Sequence, residues 1–326
     1  MSNSMEYTYA VARIRAKETT LFSGAVIEQL LGCKSYEEAI RFLKEKGWGS
    51  AEADETAESL LAAEREKTWE IIRELAPDLS VFDVLSYSKE FHNLKAAIKE
   101  ACSTEKALTA NLYYEDASLK REALLELIRE KAFGDLPESM AAAAEEAYTT
   151  LLHTRDGQLC DVILDRAALE AILAAGKDAD DAIIREYAES TVAIADIKIA
   201  VRAQKTGKSL EFMKRAMAPC ETLSVDSLAR AAVSGDAALR DYLSGTDYAE
   251  GAQAMAQSPS AFERWCDNRI IRTIAPQKYN SFSVGPLFAY LLARENEIKT
   301  VRIILTGKLN EMPEASIRER VRDMYV

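Results

Sequence analysis

Apolar positions along this chain recur every three or four residues, the spacing of one helix face, and they show no convincing alternation of the kind a half-buried strand requires. Between Tyr36 and Lys46, Ala39, Ile40 and Leu43 share a face. Ser35 with Glu38 three residues on is a capping-box pattern before that helix, and Gly47 supplies a stop ahead of Trp48. Upstream, Tyr7 to Leu31 reads as helix with a break at Ser23-Gly24. Near the other end, Leu287, Leu291, Ile298, Val301 and Leu305 form one stripe that Phe288, Leu292 and Ile303 widen. That helix is predicted to be buried over much of its circumference. Glu295 and Lys299, four residues apart, are expected to pair on its exposed edge, with Gly307 ending it.

One helical pattern occurs three times: an acceptor, then Leu or Ile, then Lys, with another base about one turn on. The copies are Asn93-Leu94-Lys95 with Lys99, Asp196-Ile197-Lys198 with Arg202, and Glu297-Ile298-Lys299 with Arg302. Lys198 follows Lys95 by 103 residues and Lys299 follows Lys198 by 101. A single tripeptide of this sort arises by chance in any helical chain, whereas three at nearly equal spacing indicate a triplicated unit. Around each copy the pattern predicts a capped helix before and a short helix after. The predicted caps are Ser23, Asp165 and Asp267; the closing helices are Ser118-Leu119 to Leu127, Ser227-Leu228 to Val233 and Ser316-Ile317 to Met324.

Lys95 and Lys99, like Lys198 and Arg202, lie one turn apart on the same helix face, while Asn93 and Asp196 point nearly the other way. Two readings follow. In one, the acceptor caps a neighbouring turn and the bases pair with carboxylates inside the domain; in the other, the bases face a cavity and a ligand or partner.

Composition narrows the rest. Only 13 glycines and 7 prolines against abundant Ala, Leu, Glu, Lys and Arg make the chain all-α in expectation. At 326 residues, length alone suggests about two domains, but the period argues for three, over 1–135, 136–255 and 256–326, or with the two chain ends sharing one. Turn formers gather near Gly134 to Pro137 and near Gly251 to Pro259, where boundaries are expected. A formal charge of −12 without a long basic stretch argues against nucleic acid. The start, MSNSMEYTYAVARIR, does not read as a signal peptide. The longest charge-free run, Tyr279 to Ala293, falls short of the roughly 20 apolar residues of a membrane span. The expectation is therefore a cytoplasmic protein whose five scattered cysteines (Cys33, Cys102, Cys160, Cys220 and Cys266) stay reduced.

Candidate chemistry is sparse. His92 and His153 have no second ligand at metal spacing, and no phosphate loop, dinucleotide fingerprint or nucleophile elbow is present. The acidic run Asp178 to Asp181 lacks the alternation and the following Gly and Glu of a calcium loop and reads as a solvated helix N-terminus. No cofactor or metal is expected.

The stretch Pro286 to Val326, PLFAYLLARENEIKTVRIILTGKLNEMPEASIRERVRDMYV, resembles the end of the C subunit of bacterial and archaeal V-type (A-type) rotary ATPases, called the d subunit in eukaryotes. YTYAVARIRAKETTLFSGAVIEQLLGCKSYEEAIRFLKEKGWG and EFHNLKAAIK resemble the same family, and Gly285 departs from it where an acidic residue is expected before the proline. The resemblance implies three similar all-α domains with pseudo-threefold symmetry, arranged as a funnel. It also implies a non-catalytic rotor part, monomeric in isolation and peripheral to the membrane, seating the shaft made of the D and F subunits on the proteolipid ring. Asn93, Lys95, Lys99, Asp196, Lys198, Arg202, Glu295, Glu297, Lys299 and Arg302 are then the candidates for bracing or shaft contact. The competing reading is a cytosolic helical-repeat adaptor; repeat units of ~20–50 residues are the rule for those, against about 100 here. A helical enzyme acting through carboxylates would need two acids converging in one pocket, and the sequence places none so.

Overall fold

The computed structural model describes residues 7–50, 56–103 and 112–326, and among them there is no strand. Two compact units divide the chain: one comprises Met1–Leu79, Asp181–Tyr187 and Glu250–Val326, the other Ser80–Asp180 and Ala188–Ala249.

In the first unit both ends of the chain build one core. From the N-terminal side come α1 (Thr8–Glu18), α2 (Gly24–Leu31), α3 (Tyr36–Glu45) and α4 (Ala57–Leu75). From the C-terminal side come α13 (Ala249–Gln257), α14 (Pro259–Ile274), α15 (Gly285–Leu309) and α16 (Glu314–Arg318). Helix α15 is the centre, as its stripe requires: Ile298, Val301, Ile304 and Leu305 pack on Phe22, Leu30, Leu31, Leu43, Leu60 and Leu61. Leu287, Leu291 and Phe288 are buried too, while Leu292 and Ile303 are half-buried.

The second unit holds α5 (Tyr87–Cys102), α6 (Arg121–Arg129), α7 (Glu138–Thr154) and α8 (Gly157–Asp178). They close on Phe91, Leu94, Ile98, Leu124, Ile128, Met140, Cys160 and Leu164. Small residues on α7, Ala144 and Ala147, are fully buried, and α7 and α8 pack over much of their length. Helix α9 (Ala182–Lys205) begins in the first unit's residues and continues in the second's, which also contain α10 (Leu210–Ala216), α11 (Val225–Ser234) and α12 (Asp236–Ser244).

Several local expectations can be followed to atoms. Ser35 Oγ accepts the Glu38 amide at 3.1 Å, but the Glu38 carboxylate reaches back to the amide of Lys34, not of Ser35. Gly47 adopts φ +83°, and the Trp48 and Gly47 amides return to the carbonyls of Leu43 and Lys44, the bonds that close a helix through a left-handed glycine. Asp181 Oδ1 accepts the Ile183 amide at the start of α9. Among the described residues the cysteines are all free, with Cys33, Cys160 and Cys266 buried.

Other expectations are corrected. The break in the first helix spans Thr19 to Ser23, not the Ser23-Gly24 step alone. Asp165 lies inside α8 and Asp267 inside α14, so neither is an N-cap; Ser23 does precede α2, but its hydroxyl accepts no capping bond. The second closing helix is capped by Ser224, whose Oγ accepts the Ser227 amide. The third ends at Arg318, and residues 321–326 form no regular element: Asn296 Nδ2 donates to the Asp323 carbonyl and the Asp323 amide donates to Asn268 Oδ1, each at 2.9 Å. Gly307 does not end α15. A Cβ there would stand 2.5 Å from Ile317, so this glycine is where α16 comes close. Gly251 likewise sits within α13, where a Cβ would meet the Trp265 ring at 2.7 Å.

Candidate functional site

Each motif acceptor is buried and receives a backbone amide from a distant segment. In the second unit, Asn93 on α5 exchanges two bonds with one residue: Nδ2 donates to the Tyr114 carbonyl and Oδ1 accepts the Tyr114 amide, both at 2.8 Å. Asp196 on α9, fully buried, accepts the Ala218 amide on Oδ1 at 3.1 Å. Helices α6 and α11 both begin seven residues beyond the amide so held, at Arg121 and Val225. In the first unit, Glu297 on α15 accepts the amide of Phe22 at 2.5 Å. Phe22 precedes α2, so the N-terminal segment supplies for the third motif what the following segment supplies for the other two.

The bases are mostly braces. Lys95 Nζ lies 2.7 Å from Asp165 and Lys99 Nζ 2.5 Å from Asp161, both on α8. Lys299 pairs with Asp267 at 2.6 Å and Arg302 with Glu58 at 2.7 Å. Two carboxylates expected as caps thus turn out to be the partners of motif lysines. Burial pushes the Asp267 carboxyl up, but Lys299 and Arg322, whose Nε is 2.7 Å away, outweigh it and hold it below the usual range. Glu295 does not pair with Lys299; Arg65 of α4 takes it through Nε at 2.9 Å and Nη2 at 3.1 Å. Lys198 is half-buried. Arg202 is exposed and forms no ion pair among the described residues.

A buried polar network extends beyond the repeated motif from its third acceptor, and the sequence carries its signal. Arg294 interrupts the stripe of α15 at the spacing of Leu291 and Ile298, and a charge on an apolar face needs a partner. It pairs with Glu64 of α4 and with Glu297, its Nε reaches Thr68 Oγ1 at 3.2 Å, and its guanidinium lies 5.3 Å from the Trp48 ring centre. Trp48 in turn stacks on Phe22 at 5.1 Å, while Glu64 also accepts the Gly49 amide and meets Lys67. Burial pushes the Glu297 carboxyl up and Arg294 opposes it. Asp196 has no such counter-ion at contact distance, and burial pushes its carboxyl up to about 7.

None of this is a catalytic constellation. His92 on α5 is half-buried, and its Nε2 lies 3.0 Å from the Leu112 carbonyl oxygen. A surface depression of about 420 Å³ is lined by Arg121, Glu122, Leu125, Glu126 and Arg129 of α6 and by Glu130, which follows it. No described helix is long and apolar enough to cross a membrane.

A scaffold of helices fastened by buried acceptors and salt bridges matches a known family over almost its whole length. The ATP synthase (C/AC39) subunit family matches residues 10–320, and the chain belongs to it. It is 24% identical to the C subunit of the V-type sodium ATPase of Enterococcus hirae over 328 residues, covering 98% of this chain and 99% of that one. It is 25% identical to the C subunit of the A-type ATP synthase of Methanocaldococcus jannaschii, covering 96% and 85%. Against the C subunit of the V-type ATP synthase of Thermus thermophilus the identity is 22%, covering 97% and 98%.

Proposed function

We propose that this chain is the non-catalytic socket of a rotary ATPase, a peripheral component of the central stalk that seats the shaft made of the D and F subunits on the membrane proteolipid ring. The family match over residues 10–320 carries this reading. The repeat-adaptor alternative explains the helices but not that match. In this role the protein transmits torque between the ATP-hydrolysing head and the ion-carrying ring, and its requirement is stiffness. Densely packed helices meet it, because protein interiors compress little. Three domains, each centred on one motif helix, are part of the proposal; the amide held by Asn93, Asp196 and Glu297 in turn supports them.

The socket role divides the motif bases. Lys95, Lys99, Lys299 and Arg302 brace helices through their partner carboxylates, whereas the exposure of Arg202 supports a role for it in shaft contact. Reversing its charge, Arg202→Glu, with Lys198→Glu alongside, is expected to weaken binding of a purified D–F pair several-fold and to flatten its salt dependence, since exposed charges act over ~8–10 Å. Titration at two ionic strengths on variants that keep the wild-type melting temperature checks this. Unchanged affinity and slope would remove the motif bases from the shaft contact. Co-purification from native membranes with other components of the ATPase tests the assignment itself.

The absence of a phosphate loop from the sequence leads to a further expectation. Calorimetry of the isolated chain with ATP and Mg²⁺ should give no saturable heat. A stoichiometric micromolar isotherm would return the chain to the nucleotide-binding class.

A further inference from the structure

The three motif acceptors meet the same task with unequal means. Asn93 is neutral and satisfied at both amide atoms by Tyr114. Glu297 has Arg294 beside it. Asp196 is as buried as either, yet it has one amide on Oδ1, and its Oδ2 has no hydrogen-bond partner among the described residues. A buried carboxylate with neither counter-ion nor full hydrogen bonding is far costlier than the neutral acid in the same place. We propose that Asp196 is held as the neutral acid and is a pH-sensitive latch, fastening the segment Ala216 to Leu223 to α9 when protonated and loosening it on ionisation. This goes beyond the socket reading and does not depend on it.

The groups around Asp196 favour this state. Glu189, two turns earlier on α9, holds the amide and hydroxyl of Thr222 and opposes a second negative charge. Tyr248, on the other side of Thr222, bonds its hydroxyl. Cys220, on the latched segment, is pushed up to about 11 by burial and is uncharged near neutrality. Arg166 of α8 is the one facing cation among the described residues that favours ionisation, but its guanidinium is taken up by Glu170 and by the carbonyls of Lys214 and Arg215. Desolvation outweighs it, in accord with a carboxyl displaced to about 7. When the acid is neutral, Oδ1 still accepts the Ala218 amide and no net charge is buried. On ionisation, the proton leaves for solvent and the segment that shields the carboxylate becomes the cheapest part to move.

The sign follows from linkage. An acid whose folded-state pKa is raised lends stability that is present in full below the ordinary carboxylate range and lost as pH rises to and through about 7. Hydrogen exchange on the full chain should therefore show protection of residues 216–223 falling by up to tenfold per pH unit from about pH 5 to about pH 7, then levelling. In Asp196→Asn, which reproduces at this site the side chain of Asn93, that dependence should vanish and the alkaline melting temperature should rise above wild type. Equal pH slopes in the two proteins, or an Asn variant that melts lower than wild type at about pH 8 or does not fold, would overturn the latch. The wild-type chain offers a reading that needs no variant. Its infrared spectrum should keep a protonated-carboxyl band at about pH 6, where ordinary carboxyls have ionised. Absence of that band would overturn the proposal equally.

Discussion

Arg294→Ala is expected to destabilise the first unit by about 3–5 kcal/mol, the usual cost of removing one partner from a buried ionic network. The guanidinium is nine-tenths buried and sits between two carboxylates, so its loss leaves Glu64 and Glu297 with less than they need. Glu64 keeps the Gly49 amide and Lys67; Glu297 keeps the Phe22 amide and no cation at contact distance among the described residues. The larger share of the cost therefore falls on Glu297. Because burial already pushes that carboxyl up with Arg294 opposing, removing the arginine pushes it further. A raised carboxyl lends stability at low pH that is lost as pH rises, so the deficit of the variant should be smaller at about pH 5 than at about pH 8. Urea unfolding at both pH values checks the size and the sign. A deficit under about 1 kcal/mol at both would mean that the network is dispensable. Arg294→Lys should fall between, since an ammonium cannot reproduce the planar fork that serves Glu64 and Glu297 together.

Among the described residues the second unit gives no comparable network around its motif acceptors, and the reason lies in residue choice. An amide at position 93 needs no counter-ion, and an acid at 196 that stays neutral needs none either. Only the third motif carries a charged acceptor with an arginine three residues before it. The same backbone task, holding one amide of a distant segment, is thus met by a neutral, a protonatable and an ion-paired side chain.

Legibility from the sequence divides along the range of the interaction. What depends on neighbours within one or two turns is readable: the cap at Ser35, the glycine stop at Gly47 and the buried stripe of α15 all follow from local spacing. What depends on a partner far along the chain is not. Asp165 and Asp267 have the look of caps because they precede apolar runs, yet their carboxylates are committed to Lys95 and Lys299 on other helices. Glu295 and Lys299 have the correct spacing to pair, but each meets a better placed partner, a guanidinium fork and a half-buried carboxylate respectively. Gly307 reads as a terminator because glycine weakens helices, whereas the close approach of Ile317 is what excludes a side chain there. Of the site, the three acceptors are visible through their period alone. That their common function is to hold a backbone amide requires coordinates, since no spacing rule links Asn93 to Tyr114, or Glu297 to Phe22.

Ile298→Asp is expected to be the most damaging single change, at about 4 kcal/mol or more. Ile298 lies immediately after the third motif acceptor, almost fully buried among Phe22, Leu30, Leu31, Leu60, Val301 and Leu305. The substitution removes about 1.5–3 kcal/mol of apolar burial and adds a charge among side chains that supply no cation to pair with it. It also strikes the contact by which the C-terminal helix and the N-terminal segments share one core, so the loss should appear as unfolding of the first unit and not as a local fray. Ile298→Val separates burial from charge: trimming one methylene should cost about 0.5–1.5 kcal/mol and leave the cooperative transition intact. Thermal melts of both variants decide the matter. An Asp variant that melts with wild-type cooperativity and temperature would mean that this face of α15 is not committed to the core, and the account of the helix as the centre of its unit would fall with it.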